Sequence, residues 1–137
     1  MIARAIARYI RVSPIKTRKV IDLIRGCPAI KAQVVLDVVE KRPAVYIKRL
    51  LKSALDSADK KLHLSPAELY ISLIKADEGP MLKRYKAASM GRATTFTHRT
   101  THITLELDRI KEPERQKQKT ENRLQRTEKR REKAEKV

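Results

Sequence analysis

From Gly79 to Leu105 the chain contains no carboxylate, although Lys83, Arg84, Lys86, Arg92 and Arg99 lie there together with His98 and His102. The same interval keeps an extended character but loses large apolar residues on both faces, so it has no material for a core of its own. Lys83 to Ala88 and Ala93 to Thr101 predict two strands that pair across a tip near Ser89-Met90-Gly91. Ten extended residues reach roughly 33 Å, so a long two-stranded ribbon is expected to project from a separate body. Such a ribbon must draw its order from a partner, and cations without neighbouring acids can approach phosphates without local repulsion.

The rest of the chain divides by charge. The first acid is Asp22, preceded by Arg4, Arg8, Arg11, Lys16, Arg18 and Lys19. Between Ile21 and Glu78 the signs are mixed and most long aliphatic side chains occur, as a folded body with a solvated exterior requires. Lys111 to Val137 alternates charge and amide, with Leu124, Ala134 and Val137 as its aliphatic residues, and cannot form a core. A basic helix or a disordered arm ordered by RNA fits this tail; so does a solubilising tail with no fixed contact. The whole chain has 33 Lys and Arg against 16 Asp and Glu, a net charge of +17, which opposes compaction unless a polyanion neutralises it.

The body reads as α+β. Ser13 and Pro14 suit a helix start, with a hydroxyl to cap free amides and a proline whose missing N–H is not needed in the first turn. That helix is expected to run to Arg25 and stop at Gly26, burying Thr17, Val20, Ile21 and Ile24. A second helix fits Ala29 to Val39. A third opens at Pro43, with Ile47, Leu51, Ala54, Leu55 and Ala58 as its apolar stripe, and is expected to end before Asp59-Lys60-Lys61. Strands are expected at Ile2 to Val12, where alternation is imperfect, at Glu68 to Ala76, and at Thr100 to Asp108, where Ile103, Leu105 and Leu107 share a face.

Several chemistries are excluded or disfavoured. One cysteine, Cys27, permits neither an internal disulfide framework nor a cysteine-based zinc site. No apolar segment is long enough for a secretion signal or a bilayer span, so neither membrane insertion nor export is expected. His98 and His102, four apart in a strand, are separated by about 13 Å of simple rise, too far to share a metal. Asp77-Glu78-Gly79-Pro80 is more simply a turn than a magnesium site. There is no Walker sequence and no dinucleotide fingerprint. The expectation is a non-enzyme with no cofactor and no metal. Duplex DNA is the main alternative to RNA on charge alone, but the helix starting at Ser13 must bury its apolar face and has no helix-turn-helix partner. The sparse aromatics Tyr9, Tyr46, Tyr70, Tyr85 and Phe96 form no base-stacking sheet signature, which leaves recognition of folded RNA by backbone and shape.

Particular blocks sharpen this reading. Ala5-Arg8-Tyr9-Ile10-Arg11-Val12-Ser13-Pro14, then Lys16, Arg18-Lys19-Val20 and Asp22-Leu23-Ile24-Arg25-Gly26, resemble the opening of the bacterial-type large-subunit ribosomal protein L22 (uL22) family. The resemblance resumes at Leu51-Lys52-Ser53-Ala54, Asp77-Glu78-Gly79-Pro80-Met81-Leu82-Lys83-Arg84-Tyr85, Met90-Gly91-Arg92-Ala93 and Arg99-Thr100-Thr101-His102-Ile103-Thr104. It implies a small three-stranded antiparallel sheet packed against three helices, with a long protruding β-hairpin. Residues 1–110 would form the RNA-binding domain, the hairpin occupying about 80–102, and 111–137 a basic C-terminal extension.

The resemblance further implies binding of large-subunit rRNA, support of subunit assembly, and a hairpin lining the nascent-polypeptide exit tunnel. Neighbouring ribosomal proteins and the transient nascent polypeptide would be partners, without an obligate homo-oligomer, in a bacterial cytoplasmic ribosome or an organellar one. By motif match, Arg4, Arg8, Arg11, Lys16, Arg18 and Lys19 are candidate RNA contacts of the body. Lys83, Arg84, Lys86, Arg92, Arg99 and His102 are those of the hairpin or its base, and Ala87, Ala88, Ser89, Met90 and Gly91 form the tip. The chain departs from the family pattern in lacking a tip proline and several tip arginines, and in the length of its tail.

Overall fold

The computed structural model describes residues 1–110; the expected tail at 111–137 lies outside them. Strand β1 (Ala3–Ile10) is followed by helices α1 (Pro14–Ile24), α2 (Ala29–Val38) and α3 (Arg42–Leu62). A short 3-10 turn at Pro66–Glu68 leads into β2 (Leu69–Glu78), then β3 (Leu82–Ala87), β4 (Ala93–His98) and β5 (Thr101–Arg109). Three strands form an antiparallel sheet in the order β1-β5-β2, while β3 and β4 pair only with each other.

This α+β arrangement follows from apolar spacing. In α1, Pro14, Thr17, Val20, Ile21 and Ile24 are buried at helical intervals, and Gly26 ends the run with φ of 70°. Ser13 makes no side-chain cap. Its carbonyl instead accepts from the Thr17 N–H and from Thr17 Oγ1, both at 3.1 Å, so the residue starts the helix through its backbone. In α3, Ala44, Ile47, Leu50, Leu51, Ala54, Leu55 and Ala58 face inward. That helix continues past Asp59-Lys60-Lys61 to Leu62, where His63 takes a left-handed φ of 51°. Lys60 and Lys61 suit the negative end of the helix dipole, so polarity alone did not stop the helix.

The central strand β5 sets the packing plane. Ile103, Leu105 and Leu107 are buried beneath the helices, while His102, Glu106 and Asp108 are half-buried on the other face. Helix α3 lies against β1 and β5, α1 against β2, and α2 against α3. The α1–α2 connection is fastened to the sheet by a bridge between Pro28 and Tyr70 and by the Ile71 N–H donating to the Cys27 carbonyl at 3.0 Å.

The imperfect alternation of the first strand is a β-bulge: the β1–β5 register shifts between Ala7 and Ile10. Beyond the bulge, buried Thr101 Oγ1 donates to the Val12 carbonyl at 2.6 Å. Thr101→Val should destabilise the chain by about 1–3 kcal/mol, because it keeps the shape and removes the donor from a buried carbonyl. Urea denaturation should show a lowered midpoint with an unchanged slope; an unchanged midpoint would mean this bond contributes nothing net.

The ribbon is shorter than the expected strands Lys83 to Ala88 and Ala93 to Thr101. Leu82–Ala87 pairs with Ala93–His98, six residues a side or about 20 Å. Arg99 and Thr100 leave the ladder, and Thr101 already belongs to the body sheet opposite Glu78 and Ile10. The second body strand also runs further than expected, to Glu78, with its own register shift between Ile71 and Leu73.

Candidate nucleic-acid interface

Four segments meet at the root of the ribbon. Arg11, Val12 and Ser13 come from the exit of β1, Lys16 and Lys19 from the first turns of α1, Lys41, Arg42 and Pro43 from the start of α3, and Thr97, His98 and Arg99 from the end of β4. They line an open groove of about 880 Å³ that holds six cations, one imidazole and no carboxylate. Neither α1 nor α3 has an acidic residue in its first turn or a side-chain cap, and each has proline at its first positions. The positive dipole ends of two helices therefore reinforce the cations. Concentrated positive charge at these helix starts is unfavourable in the isolated chain and becomes favourable when an anionic backbone enters.

Of the sequence-derived candidates, the fold brings together Arg11, Lys16, Lys19 and Arg99, and adds Lys41, Arg42 and His98. The two missed cations had a readable signal: Lys41 and Arg42 immediately precede Pro43, where an acid or a polar cap would normally serve the helix. Arg99 also pairs with Glu78 at 3.6 Å, with both side chains about half exposed, a contact too weak to withdraw its charge from the groove.

Other candidates sit elsewhere. Arg4 and Arg8 are exposed on the sheet face away from the helices, where Arg4 pairs with Glu106 at 3.4 Å. Arg18 has a structural attachment: Nε and Nη2 donate to the Ala76 carbonyl at 3.3 and 3.2 Å, strapping α1 to β2. His102 is half-buried on the same face as Arg4, and its Nδ1 accepts the Tyr9 backbone N–H at 3.0 Å.

The remaining cations belong to the ribbon, whose register sorts its side chains. Leu82, Arg84 and Lys86 share one face with His98, Phe96 and Thr94; Lys83, Tyr85 and Ala87 share the other with Thr97, Thr95 and Ala93. Every residue of β3 is exposed, and Phe96 meets His98 edge-on with centroids 5.3 Å apart. At the tip, Met90 and Gly91 are successive left-handed residues with φ of 59° and 68°. The Ala88 N–H donates to the Arg92 carbonyl at 2.8 Å, which closes the turn formed by Ala88, Ser89, Met90, Gly91 and Arg92 beyond the last pair, Ala87 with Ala93. The acid-free groove and the exposed cations of the ribbon suit the sugar-phosphate backbone of a folded nucleic acid.

Comparison with known proteins points the same way. The family described as Ribosomal protein L22p/L17e matches residues 5–108. The large ribosomal subunit protein uL22 of Syntrophomonas wolfei is 45% identical over 107 residues, covering 78% of this chain and 95% of that protein. The uL22 protein of Halothermothrix orenii is 43% identical over 112 residues, covering 82% and 99% respectively. That of Carboxydothermus hydrogenoformans is 41% identical over 112 residues with the same coverage.

Proposed function

The chain belongs to the ribosomal protein L22p/L17e family, and we propose that it is a structural, non-catalytic constituent of the large ribosomal subunit that grips large-subunit rRNA through the groove at the ribbon root. The observation that carries this reading is the acid-free convergence of six cations and two uncapped helix starts, continued outward by an acid-free ribbon. Arg11, Lys16, Lys19, Lys41, Arg42 and Arg99 engage backbone phosphates in the groove; Lys83, Arg84, Lys86 and Arg92 do so along the ribbon.

The finer assignment is a division of labour. The body docks first and supports assembly, and the ribbon reaches into the polypeptide exit tunnel, where its tip forms part of the wall met by a passing nascent chain. Neighbouring ribosomal proteins complete the setting, in a bacterial ribosome by the sources of its relatives, and no second copy of the chain is required. Among the described residues no helix is long and apolar enough to cross a membrane.

Deleting residues 87–92 tests the division. The tip contributes no side chain to the hydrophobic core, so the body's unfolding free energy should change by no more than about 0.5 kcal/mol. Chemical protection of tunnel rRNA should change in particles that have incorporated the deleted chain. Loss of the body's circular dichroism signal, or unchanged tunnel protection at full incorporation, would contradict this allocation.

A further inference from the structure

The end of β1 leaves the ladder at a point where three separate parts of the chain touch. Before the bulge, Ala3 and Ala5 point inward; after it, Ile10 and Val12 do. Inward positions thus change from odd to even. Continued without the bulge, the strand would aim Tyr9 and Arg11 at the core and turn Ile10 outward. The extra residue is what places Arg11 in the groove.

That extra residue is held in a specific way. Tyr9 has φ of 57°, a left-handed conformation that a bulky side chain adopts only under restraint. Its N–H donates to His102 Nδ1 at 3.0 Å, which leaves the proton of the neutral imidazole on Nε2. The Tyr9 ring meets the imidazole edge-on, with centroids 4.8 Å apart and planes at 88°. Gly79 lies beside the same imidazole. A Cβ at Gly79 would stand 3.1 Å from His102 Nε2 and 3.2 Å from Cε1, and would overlap Thr100 Oγ1. The Gly79 N–H donates to the Thr100 carbonyl at 3.0 Å, and Thr100 Oγ1 donates to the Pro80 carbonyl at 2.7 Å. One imidazole therefore accepts a bond from the bulge that aims Arg11 and lies beside the turn through which the chain enters the ribbon, with too little room between them for a side chain at Gly79.

We propose that His102 is a positioning residue for the RNA-binding groove: it holds the Tyr9 bulge against the Gly79–Pro80 turn, so that Arg11 and the ribbon root enter the groove in fixed relation, and it does not itself bind phosphate. This rests on the groove being the rRNA site. The bond between Thr101 Oγ1 and the Val12 carbonyl, one residue along β5, clamps the far side of Arg11 in the same way.

The test compares three substitutions in the full chain. His102→Asn keeps an acceptor oxygen near the place of Nδ1, His102→Leu keeps a similar shape without an acceptor, and His102→Lys supplies a cation without an acceptor. Affinity for a large-subunit rRNA transcript should fall roughly three- to tenfold for the Leu and Lys variants and stay within about twofold for Asn. Hydrogen exchange at the Tyr9 amide should accelerate in the same two variants and stay slow in Asn. If His102→Leu does not fold, the contrast between His102→Asn and His102→Lys decides the matter on both readouts. Lys binding as tightly as the parent, or Leu leaving both affinity and Tyr9 exchange unchanged, would overturn the proposal. If the parent chain shows no salt-sensitive rRNA binding, the functional reading fails instead, and Tyr9 exchange still reports whether His102 holds the bulge.

Discussion

Between roughly 50 and 200 mM monovalent salt, affinity of the chain for large-subunit rRNA should fall about a thousandfold or more, the loss expected when six to ten phosphates are neutralised. The groove alone supplies Arg11, Lys16, Lys19, Lys41, Arg42 and Arg99, and the ribbon adds four more cations. Replacing Lys16, Lys19, Lys41 and Arg42 together by alanine should flatten the logarithmic salt slope by roughly three to four units. Circular dichroism should be unchanged, because all four side chains are exposed. A length-matched duplex DNA is the control. Equal affinity for both polymers would argue for undifferentiated polyanion binding, and a flat slope for rRNA would remove phosphate contact as the basis of recognition.

Leu51→Ala should destabilise the free chain by about 2–5 kcal/mol, a large share of the roughly 5–15 kcal/mol typical of a small domain. Leu51 is fully buried on the inward face of α3, the helix that covers β1 and β5. Truncation there removes apolar contact and leaves a cavity that a regular helix over a sheet cannot readily close. Val34→Ala, on the exposed side of α2, is the matched control and should shift stability by no more than about 0.5 kcal/mol. Urea titrations of both proteins provide the comparison. Similar midpoints for the two would mean that the packed layer is not what holds the body together.

The elements with strong local periodicity were readable from the chain. Pro14 and Gly26 bracket α1 as their chemistry requires, and Ile103, Leu105 and Leu107 mark the inner face of β5. What escaped depends on contacts between distant segments. The bulge at Tyr9 appears in the sequence only as broken alternation, since the partner that stabilises it, His102, is supplied by another strand. Lys60 and Lys61 looked like a helix end, yet nothing there breaks a helix before His63. In the same way, Arg11, Lys16 and Lys19 could be named as cations, but their meeting with Lys41, Arg42 and Arg99 is set by how α1 and α3 pack on the sheet. Arg18 was indistinguishable from its basic neighbours until its bond to the Ala76 carbonyl was visible.

The hydrophobic core stops at Ala76 and begins again at Ile103. Inherited change in most of the interval between them is thus hidden from the forces that fold the protein. Selection can act on the ribbon shaft only through whatever surface it meets, while mutations in α3 or β5 are filtered by stability before they are filtered by use. One gene therefore carries two records. Its body reports the history of a packing problem, and its ribbon the history of a neighbour, so a missing tip arginine is best understood by looking for the matching change in that neighbour.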